Sequence, residues 1–584
     1  MSTLSLVLAG ILVYWLLVVL LRQQGLLPSY VKAQGPLLTL HTLRGRQLLD
    51  RLSRPKRFWR AWANFGVGLA LVVMVLAFVF LVLSAISQML TPEPRAVTQP
   101  QNVLVIPGVN EFLPLSAAPD IVAGLLIGLV VHEGGHGLLC RVEDIDIDSM
   151  GVLLFTIVPL GAFVEPDEDS RRKAGRGSQT RMFAAGVTNN FAVTLLAFGL
   201  LFGPVVASIG VAPGAHVGGV LPGSAADDAG IDRGDRITAV AGQSIDDESD
   251  LNAVLENESA RTVDVAVNGE RTVTVERSLL VVADPEDGVQ DLSRGDTITS
   301  VNGTAVHTRG DLRDQLTNRT VATVKTADGG TSTFPVGALV TVVPNEPLAD
   351  GGAPGDENVV VTHLDGERIV SADDLSEVLS TTEPGQAVEV RAVVDGETET
   401  YDVTLGEHPR EDIGYLGVQS WPGISGIVVS DFGVRSYPSE SYLSVLGGGD
   451  DGRSFVDRML FVLVLPIAGV ADVGLPFNFA GFTGGIDNFY HATGPLSFLG
   501  GWIFGVANVL FWAGWINFNL AFFNCIPGYP LDGGHILRSA TEAVVSRLPI
   551  ENRRHATRMV TTTIGVTMLL SLVLMLFGQG LLVN

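Results

Sequence analysis

What most constrains this chain is a set of apolar runs about as long as a bilayer is thick. The stretch 4–21 reads LSLVLAGILVYWLLVVLL, without one charged side chain. Comparable runs cover 65–86, 118–139, 182–209, 502–527 and 560–582. Roughly 20 apolar residues let a helix cross the hydrocarbon core, where a backbone must satisfy its own hydrogen bonds. The sequence therefore predicts a polytopic α-helical membrane protein with about six spans. The first run has no basic residue before it and no small-residue cleavage site behind it, so it reads as a retained span rather than a signal peptide. A further stretch, FVLVLPIAGVADVGLPFNF (461–479), is interrupted by Pro466, Gly469 and Gly474. Those breaks favour a re-entrant or protein-buried segment; a full crossing would invert the topology of everything after it.

Charge divides the chain as sharply as hydropathy does. Residues 221–412 hold 39 Asp and Glu against 13 Lys and Arg, a balance of −26, where the whole protein carries −25. Such a field excludes nucleic acid as a partner. Only four lysines occur, and an acidic, lysine-poor surface resembles proteins of salt-loving organisms. The loop between the first two runs is basic, with Arg22, Lys32, Arg44, Arg46 and five further cations against Asp50. By the positive-inside rule it is cytoplasmic, which puts the N-terminus and the acidic block outside. RRKAGRGSQTR (171–181), after the third run, agrees. The two cysteines, Cys140 and Cys525, sit at the ends of apolar runs and read as inert buried thiols.

Within the third run stands VVHEGGHGLLC (130–140). Residues four apart share a helix face, so His132 and His136 can reach one cation while Glu133 stands beside it. Zinc suits two imidazoles with an open position for water, and Glu133 is placed to take that water's proton. Ionisable groups at membrane depth are costly, about 2.5–3.5 kcal/mol each on insertion scales, which argues for a purpose. Gly134 and Gly135 weaken the helix, and the close approach of another backbone would explain them. The third ligand is sought in NCIPGYPLDGGHIL (524–537), where Asp532 is the only acid between Asp487 and Glu542 and follows a Pro/Gly break. His535 is a competing ligand. A metal transporter using the same ligands, or a catalytically inactive scaffold, remains an alternative to an enzyme.

An internal repeat fills the acidic block. RGDRITAVAGQSIDDESDLNAVLE, RGDTITSVNGTAVHTRGDLRDQLT and VVVTHLDGERIVSADDLSEVLS each place a turn glycine (Gly242, Gly303, Gly366) nine residues before a leucine (Leu251, Leu312, Leu375). The glycines lie 61 and 63 residues apart. The pattern resembles PDZ domains, most closely in the first copy and least in the third.

HEGGH in one span, N-x-x-P-x-x-x-L-D-G in another and PDZ-like modules between them resemble the site-2 protease family of intramembrane zinc metalloproteases. The resemblance implies one zinc on His132, His136 and Asp532, with Glu133 as general base. Asn524 and Pro527 match the positions that shape the substrate cleft. It also implies transmembrane segments of single-span proteins as substrates, often after a first cut by another protease, and peptide termini as partners of the PDZ-like modules. MGVLLFTIVPLGAFVEP (150–166) fits the family's membrane hairpin, able to add an unwound substrate as a further strand. AAGVTNNFAV matches a small-residue-plus-Asn element through Asn189 or Asn190. The expected organisation is two leading spans (1–117), a first half of the protease core (118–210), modules at 211–280, 281–345 and 346–410, a linker with the interrupted segment (411–493), and a second core half (494–584). The implied protein is a multi-pass cell-membrane protein with its N-terminus and modules outside and its active site towards the cytoplasmic face.

Overall fold

The computed structural model describes every residue except 1–2, 26, 29, 35–36, 91–106, 109–112, 156–157, 284–291, 450–451, 472–473 and 583–584. The chain divides into two units, Met1–Val211 with Glu440–Asn584, and Ala212–Ser439.

The first unit is helical. Its long elements are α1 (Thr3–Gln23), α3 (Lys56–Leu90), α4 (Ala118–Val142), α5 (Arg176–Leu200), α6 (Trp502–Asn524) and α8 (Arg553–Leu582), with the shorter α2 (Leu43–Leu52) and α7 (Asp532–Val545). Among the described residues five helices are long and apolar enough to cross a membrane, those based on α3, α4, α5, α6 and α8. The interrupted segment supplies a ten-residue helix, Phe455–Val464, which tightens into a 3-10 turn at Leu465–Ile467 around Pro466 and ends in a short helix, Ala468–Ala471. The chain then doubles back, and the Phe479 N–H donates to the Leu465 carbonyl at 2.9 Å.

Small residues decide how these helices meet, as expected where lipid leaves no hydrophobic force between spans. A Cβ on Gly124 of α4 would stand 2.8 Å from the Trp512 carbonyl carbon of α6. One on Gly135 would stand 2.9 Å from the Ala185 carbonyl oxygen of α5. Gly514 of α6 lies under the Phe198 ring of α5, and Gly66 of α3 under the Thr188 side chain of α5. The helix α3, one of the two leading spans, thus packs directly on α5. Gly134 corrects the expectation in the other direction: nothing lies within 4 Å of its would-be Cβ, and it faces a cavity rather than a neighbouring backbone.

The expected hairpin is present as β3 (Ile147–Phe155) and β4 (Val158–Pro166). The sequence did not foretell what extends it. The basic loop after α1 folds into β1 (Val31–Gln34) and β2 (Leu37–His41), and the four strands form one antiparallel sheet in the order β1–β2–β3–β4. β4 is left at an edge.

The second unit holds three six-stranded sheets, one per repeat. The repeat turns carry positive φ at two successive residues, Ala241–Gly242, Asn302–Gly303 and Asp365–Gly366. That is the backbone twist a two-residue antiparallel turn requires. Each following helix is capped by a side-chain oxygen, from Asp247, Thr308 and Ser371, and buries its leucine, Leu251, Leu312 or Leu375. The third copy, least regular in sequence, has the same strand order and a full core around Val359, Val361, Val388 and Val390.

The expected linker at 411–493 needs correction. Its first part belongs to the second unit and closes all three sheets in reverse order. Val418–Ser420 pairs with the third module, Val428–Ser430 with the second and Val434–Ser436 with the first. The modules are nested rather than strung in a row. Buried charge holds the returning chain: the Arg277 guanidinium donates to Asp431 and to the Leu255 carbonyl, with both charged side chains 1–2% exposed. Asp431 also accepts from the Arg309 backbone at 2.9 Å. Arg368 ties the second and third modules through four carbonyls, those of Arg319, Val336, Thr362 and Ile369.

Candidate metal centre

His132 and His136 lie one turn apart on α4, their rings nearly perpendicular with centroids 4.8 Å apart. Asp532 opens α7 immediately after the break at 525–531. That break is tight because Gly533 packs against the Cys525 and Ile526 carbonyls and Gly534 against Gly528, contacts that leave no room for a side chain. Four hundred residues of chain close into a small triangle: His132 Nε2 to His136 Nε2 is 3.2 Å, and Asp532 Oδ2 is 3.2 and 3.3 Å from the two nitrogens. All three side chains are about nine-tenths buried. Among the described residues this is the one cluster of three or more such groups that could hold a metal ion.

The donor set fits zinc. A tetrahedral ion about 2.0–2.1 Å from N and O ligands holds them roughly 3.3 Å apart, which is the separation found. Asp532 Oδ2 is buried with no hydrogen-bond partner, a costly state for a carboxylate oxygen unless a cation meets it. The imidazoles are oriented from behind. His136 Nδ1 lies 2.8 Å from the Met182 carbonyl and donates to it, which leaves the Nε2 lone pair for the ion. The Asn190 amide, fully buried, stands 3.4 Å from His132 Nδ1. Gly186 of α5 makes the approach possible, since a Cβ there would lie 2.8–2.9 Å from atoms of both rings.

Glu133 points elsewhere. Its Oε2 accepts from the Val164 N–H of β4 at 3.0 Å, so the carboxylate is fixed against the free edge of the sheet. It lines a cavity of about 580 Å³ whose walls include Gly134, Leu138, Ala162, Phe163 and Val164. His41, Leu48 and Leu52, from the leading segment, line it as well. Asn189 borders the same cavity and accepts from the Trp62 indole at 2.9 Å. The two asparagines therefore divide: Asn189 faces the cavity and Asn190 faces His132.

His535, the competing ligand, stands apart. Its ring stacks on Phe183 at 4.2 Å and lies edge-on to Tyr529. Asn524 donates to the Leu520 carbonyl of its own helix at 2.9 Å, and Pro527 is buried in the break. At the far end of α4, Glu143 is clamped by Arg181, Ser178 and Arg60. Burial pushes its carboxyl up, but the hydrogen bonds and the Arg181 charge outweigh burial and hold it below the ordinary carboxylate value. Sequence reasoning missed Gly186, Met182 and the β1–β2 hairpin. The first two are legible only once α5 is known to face α4.

A protein of Methanocaldococcus jannaschii described as uncharacterized is 27% identical to this chain over 208 residues, 34% of the chain and 52% of that protein. The chain thus spans about half the length of that relative. The family model of Peptidase family M50 matches residues 120–572, from the start of α4 into α8, and takes in both histidines, Glu133 and Asp532. The chain belongs to peptidase family M50, the site-2 protease family of membrane-embedded metalloproteases.

Proposed function

We propose that this protein is an intramembrane zinc endopeptidase that cuts transmembrane segments of single-span membrane proteins, with His132, His136 and Asp532 holding one zinc and Glu133 as general base. The observation that carries the reading is the triangle of donor atoms 3.2–3.3 Å apart with a carboxylate one residue away on the same helix. Zinc held there would supply the Lewis acidity that makes water a nucleophile near neutral pH.

The chain's own residues do the rest. The Val164 N–H holds Glu133 at the rim of the β4 edge, where it can take a proton from water and later return it to the departing amine. A peptide bond in an intact helix is hydrogen-bonded and shielded, so the substrate must unwind. The free edge of β4 offers an extended segment backbone partners, and the cavity beside it takes apolar side chains. Asn524 and Pro527, eight and five residues before Asp532, are assigned to shaping that cleft. α1 is read as a sixth span, the N-terminus and second unit as extracytoplasmic, and the three modules as PDZ-like sites for peptide termini.

Glu133→Gln tests the reading. The variant keeps one zinc per chain and loses cleavage of a single-span substrate in proteoliposomes. Undiminished cleavage would overturn the role of Glu133 as base, whereas metal transport or peptide binding that survives the substitution, with no cleavage by wild type, would favour the transporter or scaffold alternatives. Placing a run of leucines at the cut site should also abolish processing, because it makes unwinding harder.

A further inference from the structure

A second site lies where α5, α7 and α8 come together, its lining sharing no residue with the His132–His136–Asp532 triangle. A cavity of about 670 Å³ is lined by Arg176, Arg538, Arg553, Arg554 and Arg558, with Glu542 its one lining carboxylate. We propose that this cavity binds the phosphate-bearing headgroup of an anionic lipid.

The lining carries more positive charge than its own residues neutralise. Glu542 is already shared, 3.1 Å from Arg538 Nε and 3.9 Å from Arg176 Nε. Among the described residues no ion-pair partner faces Arg553, Arg554 or Arg558. Arg553 and Arg554 stand in the first turn of the thirty-residue α8, where unpaired N–H groups already make the helix end positive. Arg554 and Arg558, four residues apart, share a face and repel each other. Phosphate oxygens complement this excess charge and the positive helix end, and guanidinium forks match them in pairs.

The setting favours a lipid over a soluble anion. α5 and α8 both begin at the cavity, and both belong to helices long enough to span a membrane. A headgroup tethered by its acyl chains is delivered to that depth. Further along α8, Val566, Leu569 and Leu570 are 49–61% exposed and give those chains an apolar wall. Thr557 and Thr561 add hydroxyl-bearing lining. A neighbouring cavity of about 470 Å³ shares Arg538 and Glu542 and adds Arg171 and Arg172, which meet Glu168 at 4.0 and 2.6 Å.

The full-length protein in neutral detergent, titrated while its thermal unfolding is followed, provides the test. Phosphatidylglycerol should raise the midpoint and stay bound through gel filtration. Phosphatidylcholine with the same acyl chains, and inorganic phosphate at the same concentration, should do neither. A double variant, Arg554→Lys with Arg558→Lys, keeps the charge that sets topology but loses the paired hydrogen bonds, and should bind phosphatidylglycerol roughly tenfold more weakly. Arg554→Gln with Arg558→Gln should abolish the shift; should it fail to fold, the lysine variant carries the comparison. Equal protection by phosphatidylcholine, or unchanged affinity in the lysine variant, overturns the proposal. Equal protection by inorganic phosphate overturns its lipid part and leaves a soluble-anion site.

Discussion

The helical unit and the β-rich unit are finished in the same way, yet only one of them announces it in the sequence. In the first, Asp532 returns across four hundred residues to complete a triangle begun by His132 and His136. In the second, three short strands between Val418 and Ser436 return to complete sheets begun at Ala338, Leu279 and Ala215, the last of them about two hundred residues earlier. A metal ligand needs a particular residue type at a particular place, so chemistry writes a motif. An edge strand needs only backbone and a few branched side chains. VQS, VVS and VRS carry no signature that separates them from a linker.

The contrast predicts that the units fail independently. The largest effect falls on the second. Arg277→Ala takes from Asp431 its buried charge partner, leaving the half-exposed Arg309 guanidinium at 3.5 Å, and should cost about 3 kcal/mol. Calorimetry of the full chain should show the β-rich unit melting earlier, with bound metal unchanged; loss of metal would mean the two units are one cooperative structure.

Acid sharpens the same point. His216 is buried, and that burial, together with the Arg236 charge, outweighs its hydrogen bond to the Ala212 carbonyl and pulls its pKa down to about 4. The unfolded chain binds this proton first, near pH 6.5, while the folded chain resists until about 4. Its contribution is therefore full above pH 6.5 and is lost as pH falls through that window, about 3 kcal/mol in all. Unfolding midpoints of wild type and His216→Gln, compared between pH 7 and 4, should converge as acid is added; a constant difference would contradict this.

In the first unit the test is steric. Gly186→Ala pushes a Cβ into both metal histidines and should weaken zinc binding 10–100-fold, about 1.4–2.7 kcal/mol, read by competition with a chelator. Gly134→Ala is the smallest change. It meets open space and should gain about 1 kcal/mol of helix stability while leaving zinc in place. Equal behaviour of the two variants would erase the distinction between a glycine that admits a neighbouring helix and one that lines the cavity.

Legibility followed chemistry throughout. The HEGGH helix, Asp532 and the turns at Gly242, Gly303 and Gly366 were readable because each demands a residue type. The nested return strands were not, and neither was the β1–β2 hairpin, whose basic surroundings spoke only of topology. Helix contacts such as Gly66 on Thr188 depend on which spans are neighbours, a fact that no single run of apolar residues contains.

One metal held by three residues and used by a fourth is the centre of the proposed chemistry. Metal content and cleavage, measured together on wild type, Asp532→Ala and Glu133→Gln, test it most directly. The prediction is one zinc per chain in wild type and Glu133→Gln, little in Asp532→Ala, and cleavage by wild type alone. Full zinc occupancy in Asp532→Ala, or cleavage by Glu133→Gln at the wild-type rate, would contradict it.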